Sequence, residues 1–148
     1  MNYLDNLNEM QREAALYTEG PLLILAGAGS GKTSTMTHRI AYLIREKGIS
    51  PNAIFAVTFT NKAAGEMRER VESLVGSARG MWIMTFHAAC LRILRYDSDA
   101  IGYKNDFTVY DPTDQKAVIK GCLKARNIDD KKFAPAYVLS VISDCKEK

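Results

Sequence analysis

The clearest chemical pattern in this sequence is a glycine-rich segment, Ala26-Gly27-Ala28-Gly29-Ser30-Gly31-Lys32-Thr33. It fits the pattern G-x-x-x-x-G-K-[ST], except that alanine holds the first position. Glycines let a backbone wrap around a phosphate, so the amide groups of residues 28–33 are predicted to point at a β-phosphate. Lys32 would supply positive charge to the β- and γ-phosphates, and the Thr33 hydroxyl would bind Mg²⁺. The motif therefore predicts nucleotide binding, with Lys32 and Thr33 as the catalytic residues.

The segments on either side of this loop are predicted to hold it between a strand and a helix. The continuous apolar run Leu22–Ala26 favours a strand that is buried on both faces. A helix is expected from Gly31 to about Lys47, where Gly48 ends it. The N-terminus of that helix would direct its dipole at the same phosphate.

Strands and helices are predicted to alternate along the next part of the chain. Strands are expected at Ala53–Phe59, at Trp82–Phe86 and, as a short candidate, at Phe107–Tyr110. Helices are expected over about Asn61–Val75 and from the end of the strand Trp82–Phe86 to about Arg95. This alternation predicts an α/β fold with a parallel, doubly wound sheet. On the second of these helices, we expect an inward-facing group of four residues: Phe86, Cys90, Ile93 and Leu94.

From about Asp111 onward the pattern is only helical, so we predict a change of subdomain there. Asp111 suits the N-cap of a helix, and Pro112 suits its first position. A last helix begins near Pro135 and is expected to bury Val138, Val141, Ile142 and Cys145. Because no glycine, asparagine or proline ends that helix before Lys148, we expect the chain to be interrupted.

Hydrolysis at such a loop also requires an acidic residue, at the end of a neighbouring strand, that holds Mg²⁺ through water. Asp111 is the acid that follows an apolar run in this sequence. N-capping explains Asp111 better than metal binding does, although both alternatives stay open. Either way, the sequence predicts that part of the hydrolytic chemistry is missing from these residues.

Composition limits the class of protein. The chain has 148 residues, of which 47% are hydrophobic and 25% are charged, and this excludes a disordered or collagen-like chain. The formal net charge of +3 neither favours nor excludes nucleic acid as a partner. No apolar run approaches the roughly 20 residues of a membrane helix, and the N-terminus lacks a leader pattern, so a cytoplasmic protein is expected. Three widely spaced cysteines, Cys90, Cys122 and Cys145, are expected to be reduced core thiols.

Several segments together resemble the superfamily 1A DNA helicases of the UvrD/Rep/PcrA type. In chain order they are Leu7-Asn8-x-x-Gln11-x-x-Ala14, the loop 26–33, Thr58–Ala64, Thr85–Ala88 and Asp111–Gln115. They resemble the family's glutamine motif, its phosphate loop (alanine included), its motifs Ia and Ib, and the entry to its inserted subdomain 1B. The resemblance implies a RecA-like P-loop sheet with helices on both faces, incomplete here, as subdomain 1A over residues 1–111. The start of the helical subdomain 1B would follow over residues 112–148.

The resemblance also implies a set of ATP-binding residues. They are Gln11, Ala26, Gly27, Ala28, Gly29, Ser30, Gly31, Lys32, Thr33 and Ser34. The Gln11 amide can pair with the N6 and N7 atoms of adenine, which favours ATP over GTP; the alternative is a solvated glutamine on a helix. Ser34 stands where many relatives carry an arginine that can lie against the base, so this contact is expected to be weaker or to fall to Gln11.

A second implied set binds DNA, and it consists of Phe59, Thr60, Asn61, Lys62, Thr85, Phe86 and His87. Phe59 would stack among the bases of single-stranded DNA, and its alternative role is an ordinary core phenylalanine. The polar members would hydrogen-bond phosphates or sugars without discriminating sequence. Trp82 is expected to pack in the core rather than to stack on bases.

As a whole, the resemblance implies the N-terminal part of an ATP-dependent DNA helicase. Such an enzyme couples Mg–ATP hydrolysis to translocation on single-stranded DNA and to unwinding of duplex DNA, with 3′→5′ polarity, in DNA repair or replication. The alternatives are the helicase subunit of a helicase–nuclease, an ATP-gated DNA-binding module and, least favoured, a P-loop kinase. These 148 residues alone are expected to bind nucleotide weakly without turnover, and no protein partner is indicated.

Overall fold

The computed structural model describes residues 2–27 and 29–147. The chain divides into two compact units, Met1–Ile101 and Gly102–Lys148. The first unit contains helices and a parallel sheet, and the second contains helices, so the predicted α/β class is confirmed. The contribution predicted for the amide of Ala28 lies outside the described residues.

Eight regular elements position the residues discussed below. The helices are α1 (Glu9–Leu16), α2 (Lys32–Arg45), α3 (Asn61–Val75), α4 (Phe86–Asp97), α5 (Pro112–Ala125) and α6 (Pro135–Lys146). The strands are β1 (Phe55–Thr58) and β2 (Trp82–Thr85), which run parallel with Phe55 opposite Trp82 and Thr58 opposite Thr85. Short 3₁₀ helices occur at Tyr3–Asn6, Pro51–Ala53 and Ser98–Ile101.

The core of the first unit lies where α2 and α3 pack beside the sheet. Its buried members are Ile40, Ile54, Met67, Val71, Ala78, Met81 and Ile83. A second, smaller cluster of Leu4, Leu7 and Ala15 joins the N-terminal segment and α1 to α2, with Tyr42 of α2 packed against it. The helix that begins at the phosphate loop is therefore held from both sides.

Helix α3 has the bounds that the sequence predicts, because local chemistry fixes both of its ends. The Thr60 hydroxyl caps it by accepting a hydrogen bond from the amide of Ala63 at 3.1 Å. Gly76 ends it in the left-handed conformation, with φ of 85°. Glu66 and Arg70, one helical turn apart on its exposed side, form an ion pair of 4.0 Å.

The strand predicted at Leu22–Ala26 is wrong. The structure has no regular secondary structure there, and Leu23 and Leu25 are 81% and 86% exposed. A buried parallel strand needs a hydrogen-bonded neighbour, and among the described residues β1 and β2 pair only with each other. The short strand predicted at Phe107–Tyr110 is also absent.

Two predicted helix faces are exposed instead of buried. On α4, Phe86, Cys90, Ile93 and Leu94 are all exposed, and the buried residue of that helix is Ala89. On α6 no described residue is buried; Val138 is half-buried, and Val141, Ile142 and Cys145 are exposed. The core role predicted for the three cysteine thiols is wrong as well, because all three are free and exposed.

In the second unit, α5 packs against α6. Helix α5 begins as predicted, with Pro112 at its first position and the Asp111 carboxylate accepting from the amides of Thr113 and Asp114 at 2.7 and 2.8 Å. Lys120 and Asp130 form an ion pair of 3.6 Å beside this helix. Among the described helices of the whole chain, none is long and apolar enough to cross a membrane.

Candidate functional site

The glycine-rich loop leads directly into α2. Gly31 is the N-cap of this helix and has φ of 80°, and Gly29 has φ of 75°. Both values lie in the left-handed region that residues with a side chain rarely adopt. The loop therefore ends as predicted at the N-terminus of a helix, where unpaired amide groups and the helix dipole favour an anion.

Lys32 folds back over the loop that precedes it. Its ammonium group donates to the carbonyl oxygens of Gly27 at 2.6 Å and Ala26 at 3.2 Å. The Ser30 hydroxyl donates to the same Gly27 carbonyl at 2.7 Å. The ammonium group thus lies over the carbonyls at the start of the loop.

Gln11 of α1 is next to this loop, although Ser30 lies nineteen positions further along the chain. Its Nε2 donates to the Ser30 carbonyl oxygen at 2.8 Å, and its Oε1 accepts from the Asn8 amide at 3.0 Å. A Cβ atom built on Gly31 would lie 2.5 Å from the same Nε2. The glutamine predicted to contact a base is thus in contact with the predicted phosphate loop.

A cavity of about 530 Å³ lies between α1 and the loop. Its lining includes Gln11, Gly27 and Ser30, together with the apolar segment 22–26 that the sequence predicts as a strand. The volume is in the range of small-molecule sites. Tyr17 also lines it and is half exposed, so it offers an aromatic surface that the sequence analysis missed. No motif marks Tyr17, because only the fold brings the end of α1 to the loop.

The two residues after Lys32 lie in the first turn of α2. Thr33 is half-buried there, at the end of the loop. The Ser34 hydroxyl lies 3.4 Å from Nδ1 of His38, one helical turn further on. Ser34, which stands where many relatives carry an arginine, therefore has a short side chain that lies close to His38 of its own helix.

The residues described contain no group of three or more His, Cys, Asp or Glu side chains that could hold a metal ion. Asp111, the alternative magnesium acid, is committed to the N-cap of α5 in the second unit. The capping role favoured from the sequence is therefore confirmed. Thr33 fits a magnesium site as a single oxygen ligand, because Mg²⁺ commonly takes its other ligands from phosphates and water.

The second set of predicted residues meets at the carboxyl ends of the two strands. Phe59 follows β1 and is 90% exposed, so its alternative role as a core residue is wrong. Phe86 follows β2, and the two ring centroids are 5.8 Å apart with planes tilted by 46°. At the opposite end of the strands, Trp82 is half-buried, meets Phe55 edge-on and is covered by the Arg92 guanidinium at 4.3 Å from its ring centroid.

Two helix N-termini lie beside these rings, because α3 and α4 begin directly after the paired strands. The Thr60 and Thr85 hydroxyls accept from the amides of Ala63 and Ala88 at 3.1 and 3.2 Å. Each hydroxyl keeps its own hydrogen for donation to another group. The first turns also present three exposed polar side chains: Asn61, Lys62 and His87. Lys62 is 88% exposed and lies 4.0 Å from Glu66.

Comparison with known proteins shows the family of the chain. The sequence model of the UvrD/REP helicase N-terminal domain matches residues 7–148. The chain is 58% identical over 146 residues to the ATP-dependent DNA helicase PcrA of Staphylococcus aureus (strain Mu50 / ATCC 700699). It is also 58% identical over 144 residues to the PcrA of Staphylococcus epidermidis (strain ATCC 12228 / FDA PCI 1200).

These matches cover 98% and 97% of this chain but only 20% of either relative. The family match begins at Leu7 and includes the glutamine, the phosphate loop and both strand-end segments. The chain therefore belongs to the UvrD/REP helicase N-terminal domain family.

Proposed function

We propose that this chain is the nucleotide-binding N-terminal part of an ATP-dependent DNA helicase. One observation carries the proposal: a glycine-rich loop opens α2, with the Lys32 ammonium folded over it and Gln11 bonded to it. This arrangement combines a site for phosphates with an amide that can recognise a base. A cavity of about 530 Å³ beside both is large enough for a nucleoside.

In this proposal the whole predicted loop contacts ATP. The amide groups of residues 29–33 point at the phosphates, and the Lys32 ammonium moves from the loop carbonyls to the β- and γ-phosphate oxygens. Thr33 supplies a hydroxyl ligand to Mg²⁺, which neutralises phosphate charge when it is bound. Gln11 pairs with the adenine base, and Ser34 follows the loop without adding a charge.

Single-stranded DNA is proposed to lie across the carboxyl ends of β1 and β2. The Phe59 and Phe86 rings offer a stacking surface that tolerates any base. Thr60, Asn61, Lys62, Thr85 and His87 lie at two helix N-termini, where a backbone phosphate is favoured. Because β1 and β2 are hydrogen-bonded neighbours, both helix N-termini can contact one DNA strand.

The activity of the whole protein goes beyond this chain, which spans 20% of its PcrA relatives. We propose that the whole protein couples Mg–ATP hydrolysis to 3′→5′ translocation and duplex unwinding in DNA repair or replication, in the cytoplasm. Residues 1–111 would form part of a RecA-like subdomain and residues 112–148 the start of a helical one. The chain alone would bind nucleotide weakly without turnover, because Asp111, the acid that the sequence offers for magnesium, caps α5 instead.

Binding of a fluorescent ATP analogue to this chain tests the nucleotide site. Lys32→Ala should weaken binding roughly 10- to 100-fold, since it removes charge-assisted hydrogen bonds to phosphate. Lys47→Ala is the matched control, because Lys47 is exposed just beyond the other end of α2. Equal affinities of the two variants would contradict the proposed site, and steady-state turnover by the chain alone would contradict its predicted inactivity.

A further inference from the structure

The Gln11 side chain has two hydrogen-bonding groups already engaged and two left over. A primary amide has two N–H donors and two acceptor lone pairs on its oxygen. In Gln11 one lone pair accepts from the Asn8 amide at 3.0 Å, and one N–H donates to the Ser30 carbonyl at 2.8 Å. Among the described residues no further partner engages this amide, so one lone pair on Oε1 and one N–H on Nε2 remain for a ligand.

The two engaged partners determine which end of the amide is oxygen. A backbone N–H can only donate and a carbonyl can only accept. Rotating the Gln11 amide by 180° would set two donors against each other at Asn8 and two acceptors against each other at Ser30. The reversed orientation thus loses both hydrogen bonds and gains two repulsive contacts.

Both partners are themselves held in place. The Asn8 side chain caps α1 by accepting from the Gln11 amide at 2.9 Å, which closes a reciprocal capping box. At the other end of α1, Arg39 of α2 donates to the Ala14 carbonyl at 3.0 Å. Ser30 is tied to the loop by its hydroxyl, which donates to Gly27 at 2.7 Å. The amide orientation therefore follows from the packing of α1 on α2 and from the loop.

We propose that the Asn8 backbone amide and the Ser30 carbonyl determine base specificity by locking the Gln11 amide in one orientation. The free pair then accepts from a 6-amino group and donates to N7, which matches adenine. A 6-oxopurine presents two acceptors on the same edge, so its O6 faces the Gln11 oxygen. This inference rests on the proposed function, and it adds Asn8 and Ser30 as positioning residues.

The affinities of three nucleotides for the unmodified chain test the fixed orientation of the Gln11 amide without any substitution. They are ATP, purine riboside triphosphate, which has neither donor nor acceptor at C6, and inosine triphosphate, which has O6 with N7 retained. A locked amide predicts the affinity order ATP, then purine riboside triphosphate, then inosine triphosphate, with steps of about five- to tenfold. A freely rotating amide would turn its N–H toward O6, so inosine triphosphate binding at least as tightly as purine riboside triphosphate would overturn the proposal.

A pair of variants at one position tests the role of the Asn8 amide. Asn8→Ala removes the side-chain cap and keeps the backbone N–H, whereas Asn8→Pro removes both. Proline fits here, because Asn8 has φ of −69° and Leu7 before it has ψ of 140°. We expect Asn8→Pro to narrow the ratio of ATP to inosine triphosphate affinity about fivefold, and Asn8→Ala to keep it.

The outcomes separate this inference from the proposed function. If Asn8→Pro folds and keeps the wild-type ratio of ATP to inosine triphosphate affinity, the proposed fixing of the Gln11 amide is wrong. The proposed nucleotide site is not contradicted by that result. If Asn8→Pro does not fold, the order of the three nucleotides on the unmodified chain decides the question. If the chain binds none of the three nucleotides, the proposed site fails and the inference fails with it.

Discussion

Phe59 is a large apolar side chain with 90% of its surface in solvent, next to the half-exposed ring of Phe86. In the proposed function, this exposed ring stacks on the bases of single-stranded DNA. We expect Phe59→Ala to weaken binding of single-stranded DNA by about 1–3 kcal/mol, or roughly 5- to 150-fold. Fluorescence anisotropy with labelled oligonucleotides of the same length and different sequence would measure the loss, which should be similar for all of them.

The control for this substitution is Phe55→Ala, at the other end of the same strand. Phe55 is 56% exposed and meets Trp82 edge-on, far from the two helix N-termini. Phe55→Ala should leave the affinity for single-stranded DNA unchanged. An equal loss for both variants would mean that Phe59 has no specific role in stacking.

Gly31 and Gly29 make a matched pair for the contact between Gln11 and the loop. Both have positive φ, but an added Cβ would meet Gln11 Nε2 only at Gly31, and nothing within 4 Å at Gly29. Alanine at either position should cost about 1–2 kcal/mol from left-handed strain. Gly31→Ala should lose about 1 kcal/mol more, because the Gln11–Ser30 hydrogen bond cannot form beside the new methyl group.

Urea unfolding of the two glycine variants would measure this difference. Equal free energies of unfolding would indicate that Gln11 and the loop are not in contact in solution. A larger loss for Gly29→Ala would contradict the geometry of the loop itself.

At the scale of an element, Asp111 gives α5 its first turn and lies in the second unit. Asp111→Ala should destabilise that unit by about 1 kcal/mol, whereas Asp111→Asn should cost little because asparagine caps equally well. Thermal unfolding monitored by circular dichroism would measure the stability of both variants. Because the Asp111 carboxylate caps α5, we expect Asp111→Asn to leave the Mg²⁺ dependence of nucleotide binding unchanged, and a changed dependence would support the metal role.

Elements whose ends depend on local chemistry could be predicted from the sequence. The Thr60 cap and Gly76 determine the ends of α3, and the loop glycines lead into α2, so these helices lie where expected. Whether a helix side is buried or exposed could not be predicted in the same way. The spacing of Phe86, Cys90 and Ile93 shows that they share one side of α4, but only a neighbouring element can bury that side.

The same distinction explains the strand at Leu22–Ala26 that is not formed. Its run of apolar residues indicates a preference for burial, whereas a strand also needs the backbone of a neighbour. For the candidate site, the motifs predict that the glycine-rich loop, Gln11 and the strand-end residues form it. The contact between Gln11 and Ser30 and the presence of Tyr17 in the cavity depend on how α1 packs on α2, which no local pattern encodes.

At the scale of the whole molecule, the proposed nucleotide site and the proposed DNA surface lie in one unit of the fold. Both lie at elements of Met1–Ile101, and the core of α2, α3 and the sheet connects them. A buried residue of that core should matter to both sites. Ile83→Ala should destabilise the unit by about 2–5 kcal/mol, since Ile83 is only 1% exposed.

Chemical unfolding would report the loss at Ile83, and nucleotide and DNA binding measured at a temperature where the variant is partly unfolded should fall together. Loss of one binding activity with retention of the other would show that the two sites do not share this core.

The most direct test of the central claim is single-stranded-DNA-stimulated ATP hydrolysis by the whole protein that carries this chain. We predict that DNA stimulates turnover, that Lys32→Ala abolishes the stimulated rate, and that Lys47→Ala leaves it unchanged. Stimulated turnover that survives Lys32→Ala would contradict the assignment of the loop as the ATP site of a helicase.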